Sequence, residues 1–353
     1  MVKFKKIKLK DGSKCLIVNW NQFALLNTPV WNLVGIINHI KNEIEDEMKV
    51  VLHMETETIP FVDNNIIELH EWFDKNDYNP NNIYFIQENP NLKYFYDIFC
   101  EEKQIKRKFN FVQRIIKRTS DMDFAPNLSP HPHLSRKDFY ESSNLRSKKI
   151  ITFNSTPREH RKDIIEFLLP YKDECYLSYN SCEIKHYKDD FVEDLELKID
   201  DEYDKGIKYI YSNSYINVIT ETEFYNNAVH ITEKTWRAFS QYQPFILVTG
   251  PFALDYLQDI GFKLPKGLID YSFDKVVDSK KRMKMIQVEL QKIMDTDIKT
   301  IHEWYWSNEN ILIHNNDTYY NNSLYEDFSY QDYQTYRDGL VDYIEYIINS
   351  KRF

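Results

Sequence analysis

The sequence predicts an α/β protein built as two domains of mainly parallel sheet, on three observations. Short apolar runs rich in β-branched and aromatic residues alternate with helical patterns along most of the chain. A stretch rich in Ser, Asn and Pro over residues 119–149 interrupts that alternation once. The chain's 353 residues are enough for two domains at roughly 150 each.

In the first half, Cys15–Asn19, Lys49–His53, Ile83–Ile86 and Phe109–Val112 read as buried strands. Asn32–Glu47 and Ile66–Lys75 read as the helices between them, so a parallel sheet covered on both faces is expected. The second series begins with a strand at Lys149–Phe153, a helix at Arg158–Leu169 and a strand at Glu174–Ser178. Tyr215–Thr220 (YINVIT) and Pro244–Val248 (PFILV) are strands that flank a helix at Thr232–Gln241. Phe252–Ile260 is a helix closed by Gly261, Asp278–Met294 is a long amphipathic one, and Tyr330–Ser350 is the last. The domain boundary is set near residue 147, giving domains 1–147 and 148–353.

Composition narrows the function. With 42% hydrophobic and 28% charged residues, global disorder is excluded. Only 7 Gly occur, and neither G-x-G-x-x-G nor G-x-x-x-x-G-K-[ST] is present, which excludes those nucleotide-binding loops. The net charge of -10 is uneven: residues 1–150 carry 22 basic and 20 acidic residues, the rest 23 and 35. Different partners for the two halves are therefore expected. The four Cys form no C-x-x-C pair, the basic N-terminus lacks an apolar signal core, and no apolar run approaches the ~20 residues that span a bilayer. A cytoplasmic protein is expected, in the host's cytoplasm if the source is viral.

The chemistry concentrates between Tyr215 and Lys263. A buried strand ends in the acidic pair Glu221 and Glu223, and Thr232 then stands as the N-cap of a helix whose first turn is read to hold Glu233, Lys234 and Arg237. In open α/β sheets ligands bind beyond the carboxyl ends of the strands, where this helix tip lies. Its unpaired N–H groups and dipole attract phosphate, the cations add to that attraction, and the carboxylates suit sugar or ribose diols. A plain helix start, with Glu233 complementing the dipole and the cations solvated, fits the same residues.

Two motifs in order carry a resemblance. Ile231–Lys234 (ITEK) followed by Pro244–Leu247 (PFIL), and upstream Lys149–Leu168 with its N-x-x-x-R-x-x-R turn at Asn154, Arg158 and Arg161, resemble the donor region of the α-1,3-fucosyltransferase family and its viral and phage relatives. Ile269–Ile286 is a weaker third match. The resemblance covers roughly residues 149–315 and implies a GT-B fold: two Rossmann-like domains facing a cleft, with the C-terminal helix free to cross back. It implies a nucleoside-diphosphate sugar, of UDP or GDP type, as co-substrate and no metal or other cofactor. Arg158 or Arg161 would contact the diphosphate, Glu221 and Glu233 sugar or ribose hydroxyls, and Lys234 phosphate. The family's small-residue segment after P-F-[IV]-L is VTGPFA here, a departure at Val248–Ala253.

An inverting transferase needs a carboxylate base, and Glu55, Glu57 and Glu88, each just after a first-half strand, are the candidates. The acceptor is a glycan or a hydroxymethylated base in phage DNA. The latter rests on Lys103–Arg118, which holds seven basic residues and no acid, with Lys106, Arg107 and Lys108 at its centre. A non-catalytic sugar-nucleotide or glycan-binding protein of the same fold is the alternative. The His131–His133 pair and the D-x-D copies at Asp121–Asp123 and Asp295–Asp297 are too sparse to define a metal site. Trp304, Trp306, Tyr319 and Tyr320 read as packing residues.

Overall fold

A computed structural model describes residues 3–20, 41–45, 47–54, 63–87, 91–113, 116–117, 134–154, 157–179, 208–321 and 326–327. They fall into two compact units that divide near residue 117, and both are mixed α/β.

The first unit is a five-stranded sheet. Its strands β1 (Lys3–Lys8), β2 (Lys14–Trp20), β3 (Lys49–Met54), β4 (Ile83–Gln87) and β5 (Asn110–Gln113) lie side by side in chain order. β1 is antiparallel to β2, and the other neighbours are parallel. Helices α1 (Asp63–Lys75) and α2 (Asn91–Glu102) share one face of it. Ile66, Leu69, Phe73, Leu92, Tyr96 and Phe99 enter a single cluster with every second strand residue: Leu16, Val18, Val50, Leu52, Ile83 and Phe85. Right-handed crossovers that always advance in one direction leave their helices on one side, so the described part of this sheet has no winding reversal. The alternation of strand and helix was expected to place helices on both faces. Cys15, Ile17 and Val51 on the opposite face are buried all the same.

The second unit holds four parallel strands, β6 (Lys148–Asn154), β7 (Cys175–Tyr179), β8 (Ser214–Thr220) and β9 (Phe245–Val248), in the order β9-β8-β6-β7. All seven residues of β8, an interior strand, and all four of β9, at the edge of the order, are buried, in keeping with the largely apolar YINVIT and the wholly apolar FILV. From the central pair β6–β8 the chain winds both ways. Helix α4 (Glu159–Leu168) leads from β6 to β7, and α5 (Glu233–Ser240) leads from β8 to β9. Opposite directions with right-handed crossovers place these two helices on opposite faces, and the switch point falls between the carboxyl ends of β6 and β8.

Further helices are α3 (Arg136–Glu141), α6 (Ala253–Asp259), α7 (Ser279–Asp295), α8 (Ile298–Ser307) and α9 (Glu309–Asn321), and residues 208–212 are helical before β8. α3 moves the boundary from the expected 147 to the neighbourhood of residue 117. Its polar sequence reads as linker, yet Ser135 and Asp138 close a capping box at its start. Phe139 stacks 4.4 Å from Tyr242, and the Leu134 N–H donates to Gln241 Oε1 at 3.2 Å. Arg146 is buried over the Tyr305 ring and donates to the Ser214 carbonyl at 2.6 Å. Residues 134–147 thus belong to the second unit.

Other differences have equally local causes. β1 is a strand in the basic N-terminus, where none is expected, and its lysines are the composition that keeps an edge strand from pairing with a stranger. Of the helix expected at Asn32–Glu47, residues 32–40 and 46 lie outside the described residues, and Lys41–Glu43 is a single 3-10 turn. The last helix expected, Tyr330–Ser350, also lies outside them. Trp304 and Tyr319 are buried, and the Trp304 indole donates to the Lys266 carbonyl at 2.7 Å, whereas Tyr320 is exposed. Asp297 of the second D-x-D caps α8 by accepting the Lys299 N–H at 2.8 Å.

Candidate functional site

The switch point collects most of the residues singled out between Asn154 and Arg237. Asn154 ends β6, and its amide accepts the Thr220 hydroxyl from the end of β8 while donating to Thr152 Oγ1 at 3.1 Å. The carboxyl edges of the two central strands are thereby pinned together. Arg158 is exposed at the N-cap position of α4, where its side chain makes no capping bond. A cation at a helix N-terminus opposes the dipole.

On the other side of the edge, Thr232 caps α5 from an extended conformation and its hydroxyl accepts the Lys234 N–H at 3.4 Å. Beneath it lies Glu221, fully buried. Its Oε1 accepts the Thr232 N–H at 2.9 Å and the Thr235 hydroxyl at 2.7 Å. Its Oε2 accepts the Thr232 hydroxyl at 2.6 Å and stands 3.9 Å from the Lys234 ammonium. Lys234 Nζ also donates to Thr232 Oγ1 at 3.3 Å, and its side chain stays a quarter exposed. Glu233 is the first residue of α5, with its side chain outside the described residues.

The backbone of Glu221 is held as firmly as its carboxylate. Arg161, buried on α4, donates through Nη2 to the carbonyls of Thr220 at 3.2 Å and Glu221 at 3.3 Å. His160 Nε2 lies 2.9 Å from the Glu221 carbonyl, and since a carbonyl only accepts, the ring is the Nε2–H tautomer. Burial holds the imidazole down to about 4, against the opposing pull of that hydrogen bond. The ring stacks on Phe224 at 5.4 Å, and Arg282 from α7 lies over the Phe224 ring, 4.6 Å from its centroid. Its guanidinium donates to the Phe224, Val276 and Val277 carbonyls at 2.5, 2.6 and 3.1 Å. Burial brings Arg282 down to about 10. Tyr225 beyond is exposed, and partial burial together with the Asp163 and Glu159 carboxylates of α4 pushes its hydroxyl up.

The loop from β8 to α5 is seated against the turn after β9. A Cβ on Gly250 would lie 2.0 Å from the Ala228 carbonyl oxygen, so only glycine lets these backbones meet. Thr249 Oγ1 donates to the Glu223 carbonyl at 3.0 Å, and Asn226 Nδ2 to the Glu223 carboxylate at 2.5 Å. The departure VTGPFA is thus a built turn. Phe252 has a left-handed φ of 65°, and Asp274 caps α6 by accepting the Leu254 N–H at 3.1 Å. Burial pushes Asp274 up to about 7, against the hydrogen bonds it accepts.

Several expected roles take a different shape here. Arg237 stands in the last turn of α5, not the first, because the helix starts at Glu233 and is eight residues long. Arg161 and Glu221 face inward and spend their hydrogen bonds on the protein. Glu223 is bonded within its own loop. Arg158 is exposed, and Lys234, paired with Glu221 and Thr232, keeps a quarter of its side chain exposed at the tip of α5. Glu55, Glu57 and Glu88 lie outside the described residues, as do His131, His133, Asp121 and Asp123. Lys106, Arg107 and Lys108 sit in the α2–β5 connection, at the amino end of β5. Arg107 pairs with Asp74 at 3.2 Å and Lys108 with Asp97 at 2.9 Å.

Sequence reading missed His160, Thr235, Gly250 and Arg282. Their signal was local: His160 lies inside the arginine turn and Thr235 inside the ITEK helix. Among the described residues no group of three His, Cys, Asp or Glu is placed to hold a metal, and no helix is long and apolar enough to cross a membrane. Cys15, Cys100 and Cys175 are free and buried.

In class, the second unit is a doubly wound α/β module with a polar switch point. Compared with known proteins, the chain matches no family model and no curated relative.

Proposed function

We propose that the second unit binds a nucleoside-diphosphate sugar at the β6–β8 switch point and that the chain is a glycosyltransferase of GT-B type. It transfers the sugar to an acceptor hydroxyl with inversion and without a resident metal. One observation carries the reading: the carboxyl ends of β6 and β8 are adjacent, their connections wind to opposite faces, and Arg158 and Lys234 stand at the two helix starts beside them. A pyrophosphate there meets a cation from each side and the tip of α5, which stabilise negative charge as the diphosphate leaves. The base that takes the acceptor proton is sought among Glu55, Glu57 and Glu88.

A glycan is the favoured acceptor over modified DNA. Arg107 and Lys108 spend their charge on Asp74 and Asp97, and they lie at the amino end of their sheet, away from the edge where ligands bind.

Thermal-shift titration with UDP, GDP and their sugar conjugates tests the donor site. Ligand at about a hundredfold its Kd adds about 2.7 kcal/mol to the bound unit, a rise of several degrees in Tm. Lys234→Ala and Arg158→Ala should each reduce the rise, and EDTA should leave it unchanged. A wild-type protein that no nucleotide stabilises, or a Lys234→Ala protein that responds fully, refutes the assignment.

A further inference from the structure

The carboxylate of Glu221 is fully buried and held by three hydrogen bonds. A carboxylate offers about four lone-pair positions; here the Thr232 N–H and the Thr232 and Thr235 hydroxyls take three, and the Lys234 ammonium stands 3.9 Å from Oε2. A sugar or ribose hydroxyl could bond to it only by displacing the start of α5. A full negative charge is also more than the helix start needs, because Thr232 already caps it. Burying that charge is unfavourable unless something cationic depends on it.

The cation is Lys234. Its ammonium reaches back to Thr232 Oγ1 at 3.3 Å and toward Glu221 Oε2 at 3.9 Å, so a flexible four-carbon stem is held in one place before any ligand arrives. Glu221 is in turn held at both ends, its carbonyl by His160 and Arg161 and its carboxylate by Thr232 and Thr235.

We propose that Glu221 is a positioning residue: it contacts no ligand and fixes the Lys234 ammonium at the tip of α5. The ligand half of this inference rests on the switch point being the phosphate site, whereas the positioning half stands without it.

The experiment has two arms. In the first, intact wild-type, Glu221→Gln and Thr235→Val proteins are labelled briefly with acetic anhydride, and the rate at Lys234 is read by mass spectrometry. Losing the counter-charge should speed labelling about fivefold in Glu221→Gln, with a smaller rise in Thr235→Val. Exposed Lys137 is the internal reference. In the second arm, UDP and GDP binding is measured by calorimetry for Glu221→Gln in the wild-type and Lys234→Ala backgrounds. Affinity should fall about tenfold in the first background and less than twofold in the second, because a residue that acts through Lys234 has nothing left to act on. An equal loss in both backgrounds, or unchanged Lys234 labelling in a folded Glu221→Gln protein, overturns the proposal. If Glu221→Gln does not fold, unchanged labelling in Thr235→Val overturns it instead. If the wild type binds neither nucleotide, the phosphate-site reading falls, and the labelling arm alone decides the positioning role.

Discussion

Replacing His160 by Gln tests the floor of the site through pH. Gln keeps an N–H donor for the Glu221 carbonyl but cannot titrate. In the folded protein the imidazole is held neutral down to about 4, and in the unfolded chain it titrates near 6.5. The unfolded state therefore binds the proton more tightly. The contribution is full above 6.5 and is lost as pH falls toward about 4. At about 1.4 kcal/mol per pH unit the whole effect is roughly 3 kcal/mol, of which about 2 kcal/mol lies between pH 7.5 and 5.0. Urea unfolding of both proteins at these two pH values measures it. His70, also held down to about 4 by burial, is common to both proteins and cancels in the difference. Wild type should lose about 2 kcal/mol more than His160→Gln on acidification. Equal losses, or an imidazole signal that titrates near 6.5 in the folded state, would refute the packing assigned to the Glu221–Phe224 segment.

Two other perturbations bear on the same loops. Gly250→Ala forces the Ala228 carbonyl away from a Cβ that would lie 2.0 Å from it. It should destabilise by about 1–3 kcal/mol in chemical denaturation and raise hydrogen exchange across residues 222–231. Asp274, pushed up to about 7 by burial, binds its proton more tightly folded than unfolded. Its contribution is present below 3.8 and is lost as pH rises through about 7. Asp274→Asn should therefore remove roughly 2–3 kcal/mol of the stability change between pH 5 and 8, and an unaltered pH profile would count against that burial.

Periodicity made the strands and most of the second unit's helices legible, because a fully buried parallel strand has no polar alternation to confuse it. YINVIT and PFILV needed no tertiary information. Polar segments held by long-range partners were harder to read. Nothing local in ESSNLRSKK says that Arg146 is buried against Tyr305. The site shows the same division. Spacing placed Thr232 and Lys234 at a helix tip, where they are. Whether a charged side chain faces a ligand or the protein is decided by residues far along the chain. Arg161 and Glu221 turn inward because the end of β8 needs donors for its last carbonyls and α5 needs a receiver for its first groups. Strand order was equally invisible, since one hydrophobic pattern serves a sheet laid down in sequence or one wound in two directions.

That difference in winding has a kinetic consequence. In the first sheet, parallel partners lie close along the chain: Cys15 faces Lys49, Val50 faces Ile83 and Tyr84 faces Asn110. In the second, the central ladder joins Ile150 to Ile216, so the chain between them must be synthesised before the two can meet. Closing so long a loop is entropically slow, and parallel pairing rewards it late. Growing from a ribosome, the chain releases all five strands of its first sheet about a hundred residues before β8 emerges to complete the edge that carries Asn154 and Glu221.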